Sequence, residues 1–213
     1  MAPKQKKSPE DFPTVHDLTK EEKEIIAQTK VLEKRETIPQ KTGVVLTGGI
    51  DSTVTLCKVK RTGSMEIQPI VFDGDQEAIN KILEKEGITN SIKQFDNTNT
   101  KAGKKEVLQW CFENNVSPLT FGSNIEEYGI NSTVEEMQEW RQISSEMNNY
   151  GVVISEPLHP INKHIIVQWA KDYGVLEHTA KPSDSSKYKK IREEAFALAK
   201  IPDPHIEIET TKE

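Results

Sequence analysis

Gly43-Val-Val-Leu-Thr-Gly-Gly-Ile-Asp-Ser-Thr53 is the stretch on which the fold turns. Its first four residues read as a buried strand, Thr47 to Asp51 as a tight turn, and Ser52 to Lys60 as a helix. That order sets a helix N-terminus directly behind the carboxyl end of a strand, the context of an anion-binding turn. The glycines Gly48 and Gly49 let the backbone approach a ligand closely, so that successive amide hydrogens can point at one anion. Thr47, Ser52 and Thr53 add hydroxyl donors, and the helix dipole favours negative charge. Asp51 is the odd member. A carboxylate beside a polyphosphate makes sense if it binds magnesium or holds the loop by accepting backbone hydrogen bonds. A bare strand-to-helix turn would need the glycines but neither the hydroxyls nor the carboxylate. The dinucleotide fingerprint and the Walker pattern are both absent.

Downstream, short apolar runs alternate with amphipathic helices, the sequence form of a parallel sheet covered on both faces. Strands are expected at Gly43 to Leu46, Ile67 to Phe72, Ser91 to Phe95, Leu119 to Phe121 and Val152 to Ile154. Ala78, Ile79, Ile82 and Leu83 form one helical stripe ended by Gly87, and Val107, Leu108, Cys111 and Phe112 form another. Ser132-Thr-Val-Glu135 opens a further helix with a capping box. Ile165, Ile166, Trp169, Ala170 and Tyr173 mark the next, and Ile191, Ala195, Leu198 and Ala199 the last. The fold class is therefore α/β, an open, doubly wound, Rossmann-like parallel sheet. Ligands of such sheets bind beyond the carboxyl ends of the strands. The loops Thr47 to Thr53, Asp73 to Gln76, Gly122 to Gly129 and Glu156 to Lys163 should converge there.

Before the sheet, residues 1–18 read as a mobile arm rich in Lys and Pro. Residues 19–42 read as a helix opened by the capping box Thr19-Lys-Glu-Glu22, followed by a linker. The sheet domain with its anion-binding turn is expected over 43–206 and a tail over 207–213.

With 34 acidic against 28 basic side chains and a formal charge of -6, the molecule repels a phosphate backbone, which makes nucleic acid an unlikely partner. No apolar run reaches membrane-spanning length, and MAPKQKKSPEDF lacks the apolar region of a secretory signal, so a cytoplasmic protein without a membrane partner is expected. Cys57 and Cys111 read as reduced core thiols. The closeness of Cys57 to the phosphate loop suggests sensitivity to thiol reagents.

The segment Thr47-Gly-Gly-Ile-Asp-Ser52 resembles the SGGxDS signature of PP-loop ATP pyrophosphatases, with a threonine keeping the first hydroxyl. Three later blocks, in order, resemble 7-cyano-7-deazaguanine synthase within that class: Phe121-Gly-Ser-Asn-Ile-Glu-Glu-Tyr128, Glu156-Pro-Leu-His-Pro-Ile-Asn-Lys163, and Ile191-Arg-Glu-Glu-Ala-Phe196 closing on Asp203-Pro204. The resemblance implies an ATP- and magnesium-dependent ligase. It would adenylate the carboxylate of 7-carboxy-7-deazaguanine and use ammonia to form the nitrile, as a homodimer. It further implies that Leu46, Thr47, Gly48, Gly49, Asp51, Ser52, Thr53, Phe72, Gly122 and Asn124 hold the nucleotide. Asp51, Ser52 and Lys163 would carry catalysis, Asp51 would meet magnesium, and Glu127 and Tyr128 would meet the substrate.

The chain departs from that family in three places. The family's zinc cysteines fall at Ser183, Ser186 and Lys189, with no fourth, so no zinc is expected. Gly129 to Glu135 replaces a substrate-loop motif. The stretches after the second and third strands, Asp73-Gly-Asp-Gln76 and Ala102-Gly-Lys-Lys105, also differ. Two readings of other classes stay open: a non-catalytic nucleotide-binding or interaction protein, and a PP-loop enzyme with another substrate, tRNA included. His159 and His164 read as loop or helix-surface residues; Lys101, Lys104 and Lys105 read equally as a phosphate grip or a solvated face.

Overall fold

The computed structural model describes residues 41–63, 65–124, 126, 131–147, 152–181 and 186–205. The expected N-terminal arm, helix and nearly all of the linker, the tail, and Glu127 and Tyr128 lie outside these residues.

Five parallel strands form one sheet in the order β3-β2-β1-β4-β5: β1 (Lys41–Leu46), β2 (Glu66–Val71), β3 (Lys93–Gln94), β4 (Val116–Thr120) and β5 (Ile154–Ser155). The helices are α1 (Ile50–Thr62), α2 (Gln76–Lys85), α3 (Lys101–Glu113), α4 (Asn131–Glu146), α5 (Lys163–Asp172) and α6 (Ser186–Ala199), with a 3-10 turn at Leu176–His178. Side chains alternate across β1, so Val44 and Leu46 face one layer and Val45 the other. Val44 and Leu46 pack with Leu56 of α1 and Ile79, Ile82 and Leu83 of α2. Val45 packs with Val107, Leu108 and Cys111 of α3 and with Trp140 and Ile143 of α4. A further cluster joins Ile50, Val54 and Cys57 of α1 to Ile166, Val167 and Ala170 of α5 and to Ala195, Phe196 and Ile201 at the end of the described chain. The sheet is thus covered on both faces, which is the expected doubly wound class.

Local chemistry explains where the elements differ from expectation. β4 starts at Val116, three residues before the expected Leu119, although Pro118 cannot donate to a ladder. The pairing steps from Lys41↔Val116 to Gly43↔Leu119, so an extra residue of β4 is taken up in a bulge around the proline. α4 is already helical at Asn131, which places Ser132 inside the first turn instead of at the cap. Leu198 is 68% exposed and does not belong to the buried stripe of α6, which runs through Ala195 and Phe196. Side-chain caps start α2, where Asp75 accepts from the Ala78 N–H at 3.0 Å, and α3, where Thr100 accepts from the Gly103 N–H at 3.0 Å.

Candidate functional site

The chain passes from β1 to β2 and β3 on one side and then to β4 and β5 on the other, so the order reverses between β1 and β4. Ligands of open α/β sheets bind at such a switch point, outside the carboxyl ends of the strands. Here the turn 47–49 leads from β1 into α1, and a cleft of ≈ 670 Å3 opens beside it.

Glycine contacts draw the loops together. A Cβ on Gly122 would stand 2.6 Å from the Ser52 nitrogen and 2.7 Å from the Asp51 carbonyl carbon, so the loop after β4 lies directly on the start of α1. A Cβ on Gly74 would meet the Thr47 carbonyl oxygen at 2.7 Å, and the Asp75 N–H donates to that same oxygen at 3.1 Å. The loop after β2 is therefore pressed against the turn from the other side. Gly48, at φ +80, takes a left-handed conformation that other residues rarely adopt, and its carbonyl accepts from the Ala180 N–H at 2.8 Å. Three of the expected loops thus meet through their described residues, and Lys163 brings the fourth to Asp51.

The N-cap of α1 is Gly49, which has no side chain to bond the first-turn N–H groups. Those groups and the dipole end of α1 border the cleft through Gly49, Ile50 and Asp51. The neighbouring hydroxyls have other work. Ser52 Oγ accepts from the Thr47 N–H at 3.2 Å and lies 3.1 Å from both Thr47 Oγ1 and the Gly49 carbonyl. Thr53 Oγ1 donates to the Gly49 carbonyl at 2.8 Å. Both side chains are buried and tie the turn to the helix. Thr47 stays exposed at the cleft wall.

Asp51 is the polar centre. Its Oδ1 accepts from the Asn124 amide at 3.2 Å, and its Oδ2 pairs with the Lys163 ammonium. Lys163 opens α5, is 7% exposed, and donates its backbone N–H to Glu126 Oε1 at 3.2 Å. One carboxylate thus holds the loop after β4 and the start of α5 in place. Asp73 and Gly74 complete that side of the cleft.

Two further residues assigned to the nucleotide also turn their side chains elsewhere. Leu46 is 1% exposed in the core, and the Phe72 ring stacks on Trp140 with centroids 5.5 Å apart and planes 10° from parallel. His159 and His164 do not line the cleft. Lys101 and Lys104 pair with Glu146 and Glu139, joining α3 to α4, and do not face the phosphate turn. Of the positions that the sequence resemblance aligns with zinc cysteines, Ser183 is outside the described residues, while Lys189 is exposed on α6 and 4.0 Å from Glu193.

The cleft lining also includes Ala180, Lys181, Tyr188, Ile191 and Arg192, supplied by the segment after the 3-10 turn and by α6. Arg192 binds Asp203 through two hydrogen bonds of 2.5 and 2.8 Å and lies over the Phe196 ring. The Arg192, Ala195-Phe196 and Asp203 spacing is thereby a clamp that fixes α6 beside the cleft. Burial pushes the Asp203 carboxyl up, but the Arg192 hydrogen bonds and the His205 N–H outweigh it and hold the carboxyl below its ordinary value.

Cys57, expected to be sensitive to thiol reagents, is fully buried, and its thiol is pushed up to about 11, first by burial and then by Glu86. Burial pushes Cys111 up to about 12. Since the thiolate is the nucleophile, iodoacetamide at neutral pH should label neither cysteine in the native chain and both after denaturation. Rapid native labelling of Cys57, read by mass spectrometry, would contradict this burial.

No protein-family model matches the chain, and no curated protein matches its sequence. Among the described residues no helix is long and apolar enough to cross a membrane. Among solved structures, the NAD+ synthetase from Burkholderia pseudomallei is similar to this chain with 14% sequence identity and a TM-score of 0.32, over 83% of this chain and 85% of that one.

Proposed function

We propose that the chain is an ATP-dependent ligase that transfers AMP to a carboxylate and replaces it with a nitrogen nucleophile. The observation that carries this reading is the Asp51, Asn124 and Lys163 constellation beside a helix N-terminus left open by Gly49, at the switch point of the sheet. An amide-lined turn with a paired ammonium at its side suits a pyrophosphate leaving group. The cleft size lies in the usual range for a small-ligand site.

The residues present fit a magnesium ion that arrives with its phosphates. Among the described residues no group of three His, Cys, Asp or Glu could hold a metal, but magnesium is commonly bound through one or two carboxylates plus substrate phosphates. Asp51 supplies one such carboxylate at the cleft. When bound, magnesium would neutralise phosphate charge. The chain itself presents N–H groups at the α1 terminus, holds Asp51 by the Asn124 amide, and keeps the Lys163 ammonium within reach of negative charge that develops as pyrophosphate leaves.

The acceptor named by the sequence resemblance is 7-carboxy-7-deazaguanine, with ammonia as the nitrogen source and the nitrile as product. Adenylation converts a poor electrophile into an activated acyl group, ammonia displaces AMP to give the amide, and a second activation of the amide oxygen permits its elimination. Pure protein with magnesium-ATP, ammonium and this acid should release AMP and pyrophosphate and yield the nitrile. AMP release with a different acid only would keep the ligase and discard the substrate. ATP binding by calorimetry without AMP release from any acid would favour a non-catalytic nucleotide-binding protein.

A further inference from the structure

A second cleft of ≈ 450 Å3 adjoins the first and shares Thr47, Ala180 and Lys181 with it. The exposed first residue of the phosphate turn is therefore a wall common to both. The rest of its lining includes Asp75, Glu77, Lys81, Glu177, His178, Thr179 and His205, of which the proposed chemistry of the first cleft uses none. Asp75 caps α2, and Glu77 pairs with Lys81 at 2.6 Å. Glu177 lies on the 3-10 turn and His205 beyond α6.

We propose that this second cleft receives the nitrogen nucleophile as an ammonium ion or a small primary amine, with His205 taking its proton and Glu177 facing its charge. The inference rests on the ligase reading. An adenylate formed at the phosphate turn has to be met by a nucleophile from a direction that the nucleotide does not fill, and the second cleft reaches the turn at Thr47. A cationic guest suits a lining with three carboxylates, Asp75, Glu77 and Glu177, against two ammonium groups, Lys81 and Lys181.

His205 is built into the site. Its ring Nε2 stands 3.4 Å from Thr179 Oγ1, and its backbone N–H donates to Asp203 at 3.0 Å, so the clamp holds the backbone from which the imidazole projects. Burial, then the charge of Arg192, and with a smaller effect Lys181, hold its pKa below the ordinary value, while Asp203 and the Thr179 backbone act the other way. At neutral pH the ring is uncharged and can accept a proton. Ammonium gives one proton to the imidazole, and the freed lone pair attacks the acyl carbon of the adenylate. The bond from that carbon to the AMP oxygen breaks with its electron pair on AMP, and the amide nitrogen then sheds its surplus proton to water.

The histidine ring resonances of the whole chain would be followed by NMR, with His205→Gln assigning the His205 signal. Ammonium chloride should shift that signal saturably, potassium chloride at equal ionic strength should not, and Glu177→Gln should weaken the ammonium response about tenfold, as loss of one charge-assisted hydrogen bond does. No saturable shift, or an equal one with potassium, would overturn the proposal whether or not the protein turns over. In turnover with an accepted acid, Glu177→Gln should raise KM for ammonium with KM for ATP within about twofold, a change ordinary for a surface substitution away from the nucleotide. A parallel rise in both constants would count against it. Failure of every acid to release AMP would sink the ligase reading, and the NMR titration would still decide whether the cleft takes ammonium.

Discussion

Asp51→Asn is expected to lower ATP–pyrophosphate exchange by about 100-fold or more, the order seen when one electrostatic contact to a transition state is lost. The substitution keeps the size of the side chain and can keep the oxygen that accepts from Asn124. What it removes is the charge facing Lys163. An amide N–H would then point at an ammonium that is 7% exposed, and removing one carboxylate from a buried ion pair costs several kcal/mol. A fall in stability alone could therefore mimic a catalytic effect. The double variant Asp51→Asn, Lys163→Met separates the two. Replacing both members of a buried pair is often neutral for stability, so this variant should melt near the parent while exchange stays lost. Recovery of exchange in the double variant, or unchanged exchange in Asp51→Asn, would reduce the pair to a structural strut.

Arg192→Leu is expected to destabilise the fold by about 3–5 kcal/mol, the range for removing one partner of a buried ion pair. The side chains of Arg192 and Asp203 are 10% and 4% exposed, so Asp203 would be left charged and without its cation in a dry place. The pH dependence gives the prediction a sign. In the parent, the carboxyl lies below its ordinary value of 3.8. Its pairing thus stabilises the fold fully above the unfolded pKa and is lost as pH falls through the lower folded value. Without Arg192, burial is the main remaining influence and raises the carboxyl, so protonation relieves the variant. Between about pH 6 and pH 4 the parent should hold or lose melting temperature, whereas Arg192→Leu should gain it. A variant that melts in parallel with the parent across this range would show that the clamp contributes little.

The sheet was readable because its signals are local. Val44 to Leu46 and Ile67 to Val71 are short apolar runs between breakers, and Ala78, Ile79, Ile82 and Leu83 repeat at helical spacing. Pro118 hid the start of β4, since a bulge that accommodates proline depends on a partner strand far away in sequence. The site was readable in part. The glycine-rich turn, Asn124 and Lys163 carried a motif, and the fold brings Asp51, Asn124 and Lys163 into contact. That the Ser52 and Thr53 hydroxyls donate to the Gly49 carbonyl was not legible, because the bond a hydroxyl makes is set by the geometry of the turn. Tyr188 and Lys181 gave no signal, and Arg192 only the mark of a family resemblance. The place of Tyr188 and Arg192 at the cleft follows from α6 packing through Ala195 and Phe196 onto α5 and α1, and that of Lys181 from the Ala180 N–H bonding the Gly48 carbonyl. Side-chain periodicity shows that a helix has a buried face but not which neighbour will cover it.

The position of α6 also has a consequence during synthesis. Every strand and the phosphate turn precede it in the chain, and domains begin to form from the N-terminal side while translation continues. A nascent polypeptide released as far as α5 would hold the sheet and Asp51 but still lack Ala195, Phe196 and Ile201, so Ile50, Val54, Ile166, Val167 and Ala170 would have one flank uncovered. In that interval the growing protein presents an adhesive apolar strip next to a half-walled cleft. Ribosome pausing before residue 195 should therefore favour chaperone capture, whereas emergence of Ile201 and Asp203 closes the strip and the clamp in one step.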